Sequence, residues 1–254
     1  MRKSKNLQSI DKLIEIMDEL RLECSWDKEQ TMDSLKTLTI EETYELVDAI
    51  NNNDFDEIKN ELGDLLLHIV FYSKIASEKN IFDFNDVVES ISKKLIYRHP
   101  HVYQNKKNIS QEQVKKNWEK LKLKEGHKSI LSGVPKTLPS LIKAVRIQDK
   151  VSNAGFKWDS VYDSKNKVIE EFNELSLEIE NSDKKKIEEE FGDFLFSVIN
   201  YGRFLGINSE NALEKTNRKF SRRFKEMEAI IKNDNLELDK LSTTEMLGYW
   251  NNLK

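Results

Sequence analysis

Apolar residues recur at helical intervals along nearly the whole chain. Ile10, Leu13, Ile14, Met17 and Leu20 form a stripe over residues 7–23, the spacing of an amphipathic helix with one core-facing side. Cys24-Ser25-Trp26-Asp27 interrupts it. Asp33 or Ser34 suits the cap of a second helix over about 35–51, and Asn51-Asn52-Asn53-Asp54 is a turn by composition. A third helix is expected over about 54–78, acidic at its start and then apolar at Leu65, Leu66, Leu67, Ile69, Val70 and Tyr72. Its later turns should be buried and its carboxylates should lie near a cleft. A fourth helix, about 85–97, ends at His99-Pro100-His101.

A charged helix is expected over 110–124, followed by turn-forming sequence through Gly126, Gly133 and Pro135. This divides the chain into an N-terminal repeat at 1–124, a linker at 125–137 and a C-terminal repeat at 138–254. The second half follows the plan of the first. Helices are expected at about 138–153, 162–180, 183–205, 208–232 and 243–253. The sequence Phe156-Lys157-Trp158-Asp159 echoes the segment around Trp26, and Phe194 to Tyr201 repeats the apolar run after an acidic start. Trp26 and Trp158 are 132 apart, as are Trp118 and Trp250. The first pair is assigned to core or hinge packing. A period this long means two domains rather than a solenoid.

Eight glycines and three prolines in 254 residues favour helix throughout, because β-rich folds need more turn residues. The expected fold class is all-α, built as two tandem helical bundles. A net charge of −4 without a basic block gives no nucleic-acid footprint. The longest apolar run is too short to span a membrane, and the basic residues 1–6 have no apolar stretch after them. The single cysteine, Cys24, fits a reducing compartment. A cytoplasmic protein without membrane or nucleic-acid partners is expected.

The chemistry lies in a duplicated acidic pattern. Glu42, Glu45, Glu61 and Asp64 recur as Glu171, Glu174, Glu190 and Asp193, each 129 positions later. Residues three apart share a helix face, so each copy offers two acidic pairs on two successive helices. Four converging carboxylates repel unless something positive sits among them. Oxygen donors without cysteine or histidine indicate Mg²⁺, Mn²⁺ or Ca²⁺. The glycine-centred calcium loop is absent, as is the Glu-x-x-His of di-iron bundles. Mg²⁺ fits best, with Mn²⁺ an alternative, and carboxylate-held Mg²⁺ usually also binds substrate phosphates.

Phosphates need cations too. Lys167 lies one turn before Glu171 and Lys186 one turn before Glu190, whereas the first copy has Leu38 and Glu57 there. Lys219 and Arg223 offer a second fork, and Trp250 with Lys254 sets an aromatic plane beside a charge. Trp250 is suited either to packing or to stacking on a base.

The set Glu41-Glu42-Thr43-Tyr44-Glu45, Glu61-Leu62-Gly63-Asp64, Lys219-Phe220-x-Arg222-Arg223-Phe224 and Trp250-x-x-x-Lys254 resembles the MazG family. These are tandem-repeat nucleoside triphosphate pyrophosphohydrolases of the all-α NTP pyrophosphatase superfamily. The resemblance extends through Trp26-Asp27-x-x-Gln30-Thr31, Arg98-His99-Pro100-His101 and Ala144-x-Arg146-x-Gln148. Ser25 and Met32 depart from it, where the family usually has Pro and His. It implies Mg-dependent hydrolysis of NTPs and dNTPs to monophosphate and pyrophosphate, in a homodimer, mainly at the C-terminal repeat. By position it implies metal ligation by Glu171, Glu174, Glu190 and Asp193, and substrate contacts from Lys167, Lys186, Lys219, Arg222, Arg223, Trp250 and Lys254. Glu170 and Glu189 would complete the pocket wall, and either Glu171 or Glu174 would serve as general base. Two alternatives stand beside it: a non-catalytic nucleotide-binding or regulatory protein, and a narrow-specificity dUTP or dCTP pyrophosphatase.

Overall fold

The computed structural model describes residues 2–104, 108–111, 113, 114, 117, 118, 121 and 129–253. All regular structure among them is helical, and no helix among them is long and apolar enough to cross a membrane. The chain divides into two compact units, residues 1–108 and 109–254. Most of the helix expected over 110–124, residues 125–128 of the expected linker, and Lys254 lie outside the described residues.

The first unit contains α1 (Arg2–Glu23), α2 (Ser25–Glu29), α3 (Met32–Asn52), α4 (Phe55–Glu78), α5 (Phe84–Arg98) and α6 (Pro100–Tyr103). Helix α3 starts three residues earlier than its apolar pattern suggests, because Thr31 is the cap rather than Asp33 or Ser34. Its hydroxyl accepts from the Ser34 amide at 3.1 Å while Ser34 Oγ accepts from the Thr31 amide at 2.9 Å, a reciprocal capping box. Asn53 then turns the chain in the left-handed region at φ 55°, and the Asp54 carboxylate caps α4. The two helices pack along their length as a hairpin. Met17, Leu35, Val70, Phe71 and Ile75 form the buried core between α1, α3 and α4, with Leu38 and Leu67 against it. Fully burying side chains of this size contributes roughly 1.5–3 kcal/mol each.

The second unit contains α7 (Ser140–Asn153), α8 (Val161–Asn181), α9 (Lys184–Phe204), α10 (Ser209–Asn233), a short 3₁₀ turn (Leu238–Lys240) and α11 (Thr243–Asn252). Ser160 caps α8, Ser182 supplies the left-handed turn at φ 60°, and Asp183 caps α9. Cap, turn and cap therefore fall 129 positions after Thr31, Asn53 and Asp54, so the α3–α4 and α8–α9 hairpins share one register. Their interiors differ. In α4, Val70, Phe71, Ile75 and Ala76 are buried and Leu65, Leu66, Leu67 and Tyr72 half-buried, with Ile69 exposed, whereas Leu195, Phe196 and Val198 of α9 are all more than 40% exposed. Among the described residues of the unit, α7, α8 and α10 pack on α9, and these apolar side chains remain open to solvent beside them. The core alternative for the tryptophans is corrected: Trp26 is 55% exposed in the first turn of α2 and Trp158 is 42% exposed in the loop before α8. A ring that exposed fills no core.

Candidate active site

Because the caps set the register, the acidic pairs of α8 and α9 meet across the hairpin. One carboxylate oxygen from each of Glu171, Glu174 and Glu190 falls within 4.8 Å of the others, and Glu42, Glu45 and Glu61 form the same cluster in the first unit. Glu171 is 7% exposed and Glu61 8%, while Glu174 faces solvent. Burial pushes Glu190 above the ordinary glutamate range, and Glu174, Asp193 and Glu171 push it the same way. Glu42 and Glu61 are raised for the same leading reason, and Oε2 of Glu61 is buried without a hydrogen-bond partner. Asp64 and Asp193 stand outside the three-member clusters, but near enough to raise their neighbours. An oxygen-only donor set, crowded and partly desolvated, fits a hard divalent cation such as Mg²⁺.

The cations are arranged unequally. Lys167 Nζ sits 2.6 Å from Glu170 Oε1 and 2.7 Å from Glu171 Oε1, and those bonds hold its ammonium well above the ordinary lysine range. Lys186 reaches across the hairpin to Glu178 Oε1 at 3.7 Å, and Glu189 is exposed beside it. Lys219 is exposed on α10. The Arg223 guanidinium lies 4.3 Å from the Trp250 ring centroid and donates to the Trp250 carbonyl at 3.1 Å. Phe220 packs on the same indole at 4.9 Å, so α11 is pinned to α10 there. Arg222 instead approaches Glu226, at 3.9 Å.

The largest difference between the hairpins lies beside the acids. Where α3 and α4 place Leu35, Leu38, Leu67 and Phe71 in or against the apolar core, the positions 129 later are Ser164, Lys167, Phe196 and Asn200. All four line a cavity of about 310 Å³. Glu171 and Asp193 share its wall, Gln148 enters from α7, and Phe156 and Trp158 come from the loop before α8. The first unit is filled where the second is hollow.

Residues 30–103 and 161–227 match the model of the MazG nucleotide pyrophosphohydrolase domain. The chain belongs to the MazG family. A MazG relative from Escherichia coli strain K12, named nucleoside triphosphate pyrophosphohydrolase, is 41% identical over 257 residues, covering 98% of both chains. The nucleoside triphosphate pyrophosphohydrolase/pyrophosphatase MazG of Thermotoga maritima is 41% identical over 249 residues, covering 96% of this chain and 95% of its own. A nucleoside triphosphate pyrophosphohydrolase of Mycobacterium tuberculosis is 37% identical over 145 residues, 56% of this chain and 44% of its own. The two MazG segments contain both hairpins, whereas Gln148 and Trp158 precede the second segment. Ser164, Asn200, Arg203 and Glu178 are site neighbours that sequence reasoning passed over, while Gln148 entered it only as part of a motif and Trp158 only as a packing residue. The change from Leu35 to Ser164 at a constant offset was the available signal.

Proposed function

We propose that the second unit hydrolyses nucleoside triphosphates, NTPs and dNTPs alike, to the monophosphate and pyrophosphate. The observation that carries this reading is the convergence, on one hairpin, of three clustered carboxylates, Lys167 and a cavity. The names of the full-length MazG relatives support it. Glu171, Glu174, Glu190 and Asp193 would hold Mg²⁺, or Mn²⁺, which when bound supplies Lewis-acid neutralisation of phosphate charge. Lys167 and Lys186 would meet phosphate oxygens, with Glu170 and Glu189 keeping those lysines extended along the pocket wall. Lys219, Arg222, Arg223 and Trp250 would complete the nucleotide contacts from α10 and α11, a role the resemblance extends to Lys254. A water oxygen bonds to phosphorus as the α–β anhydride bond breaks, pyrophosphate departs, and the water proton passes to Glu171 or Glu174.

The first unit keeps Glu42, Glu45, Glu61 and Asp64 and would hold a cation without a nucleotide, since Leu35, Leu38 and Phe71 fill the space beside them. The resemblance also supports a cytoplasmic homodimer, and the open apolar side of α9 is a surface for a second copy. Pyrophosphate release from each NTP and dNTP, with and without Mg²⁺, tests the assignment. Glu174→Gln should lower turnover by about 100-fold or more, within the range for losing acid–base and metal contacts, whereas Glu45→Gln should leave it within about twofold. Equal losses from both variants would remove the asymmetry between units; full activity of Glu174→Gln would remove the metal-and-base assignment.

A further inference from the structure

Among the described residues of the second unit four side-chain polar atoms are buried without a partner, and two of them, Gln148 Oε1 and Ser164 Oγ, belong to residues that line the cavity. Gln148 is 3% exposed and Ser164 1%. The glutamine's orientation is set by its neighbour. Its Nε2 donates to the Phe196 carbonyl at 2.8 Å, which only the nitrogen end of the amide can do, so Oε1 is left as an acceptor. Ser164 lies in the first turn of α8, where its backbone amide donates to the Ser160 carbonyl at 3.2 Å. Unmet buried polar groups destabilise a fold. The first unit avoids that cost at the position equivalent to Ser164, where Leu35 is 1% exposed in the apolar core. The Gln148 oxygen and the Ser164 hydroxyl are thus open to a partner from outside the chain.

We propose that Gln148 Oε1 and Ser164 Oγ read the hydrogen-bonding edge of the nucleobase, as specificity residues of the site described above; the inference rests on that functional reading. A cavity of about 310 Å³ is at the small end of ligand pockets, roughly 300–1,000 Å³, a size for the base rather than the whole triphosphate. Phe156, Trp158 and Phe196 give it apolar walls, while Lys167, Glu171 and Asp193 border it on the side of the acids. A base entering it therefore leaves its phosphates near the carboxylate cluster. Gln148 Oε1 accepts only and requires an N–H: the amino group of adenine or cytosine, or the ring N–H of guanine, uracil or thymine. Ser164 both donates and accepts as its hydroxyl rotates, so it meets whichever group lies alongside. The pair demands a polar base edge without choosing one natural base over another, as expected where Watson–Crick edges are read in a closed pocket.

The test is steady-state kinetics of the full-length chain with ATP and with purine riboside triphosphate, which lacks the 6-amino group. Wild type should prefer ATP about tenfold in kcat/KM, and Gln148→Met should lose both that preference and about tenfold of its ATP kcat/KM, through KM. Ser164→Ala should raise KM about fivefold or more for every triphosphate with kcat little changed. It should also raise the melting temperature of the free protein by about 2–4 °C, because an unmet buried hydroxyl is removed. A purely structural serine would instead lower it. Should Gln148→Met fail to fold, having lost its bond to Phe196, Ser164→Ala decides alone. Unchanged KM in an active Ser164→Ala variant, or ATP preference retained in a folded Gln148→Met, overturns this proposal and leaves the functional reading standing. Wild type that hydrolyses no triphosphate overturns both.

Discussion

The guanidinium of Arg21 joins three segments of the first unit. It pairs in a fork with Glu78, Nε to Oε1 at 2.8 Å and Nη2 to Oε2 at 2.5 Å, while Nη1 donates to the carbonyls of Asp27, Lys28 and Gln30. A bidentate fork of this kind binds α4 to the end of α1 and satisfies the orphan carbonyls of α2. Glu78 is held below the ordinary glutamate range, first by its hydrogen bonds to Arg21. Since its folded-state pKa is depressed, its contribution is present above the unfolded value and is lost as pH falls through the folded one. Glu78→Gln should therefore cost about 1 kcal/mol near pH 7, a modest figure because Glu78 is partly solvated. The gap in melting temperature from wild type should close as pH drops below the ordinary 4.5. A gap of constant size across that range would show that the ion pair is not its source.

At the scale of elements, most of the fold is legible in the sequence. Helix positions followed from apolar spacing because each helix has only one face to bury, and the turn at Asn53 followed from its composition. The acidic clusters were legible too, since i,i+3 spacing and a constant offset are local facts that a hairpin converts into proximity. Boundaries were less so. Thr31 caps α3 through a hydroxyl–amide exchange with Ser34 that competes closely with caps at Asp33 or Ser34, and apolar periodicity says nothing about which wins. The cavity was the least legible feature. Gln148 meets Phe196 across 48 positions of chain, and a hollow exists only where several elements fail to fill a space. The core alternative for Trp158 failed for that reason: an aromatic ring lining a void and one filling a core follow the same spacing.

At the scale of the whole molecule, the open apolar side of the second unit matters most. Phe191 and Leu195, on α9, are 51% and 46% exposed, and Phe172 and Leu177 on α8 are 53% and 56%. Exposed apolar surface of this extent marks a site of association. Sedimentation should give twice the chain mass of 29.9 kDa, and Phe191→Asp with Leu195→Asp should shift it to one chain mass. Wild type sedimenting as a single chain at micromolar concentration would exclude the second copy. A different consequence follows from the filled and hollow hairpins. Among the described residues, seven apolar side chains are buried in the first unit and three in the second. Resistance to opening follows buried apolar contact, so amide protons of α4 should exchange with solvent markedly more slowly than those of α9 in the free protein. Nucleotide should slow α8 and α9 while leaving α4 unchanged. For the hollow half, taking up substrate is then also the last step of becoming rigid.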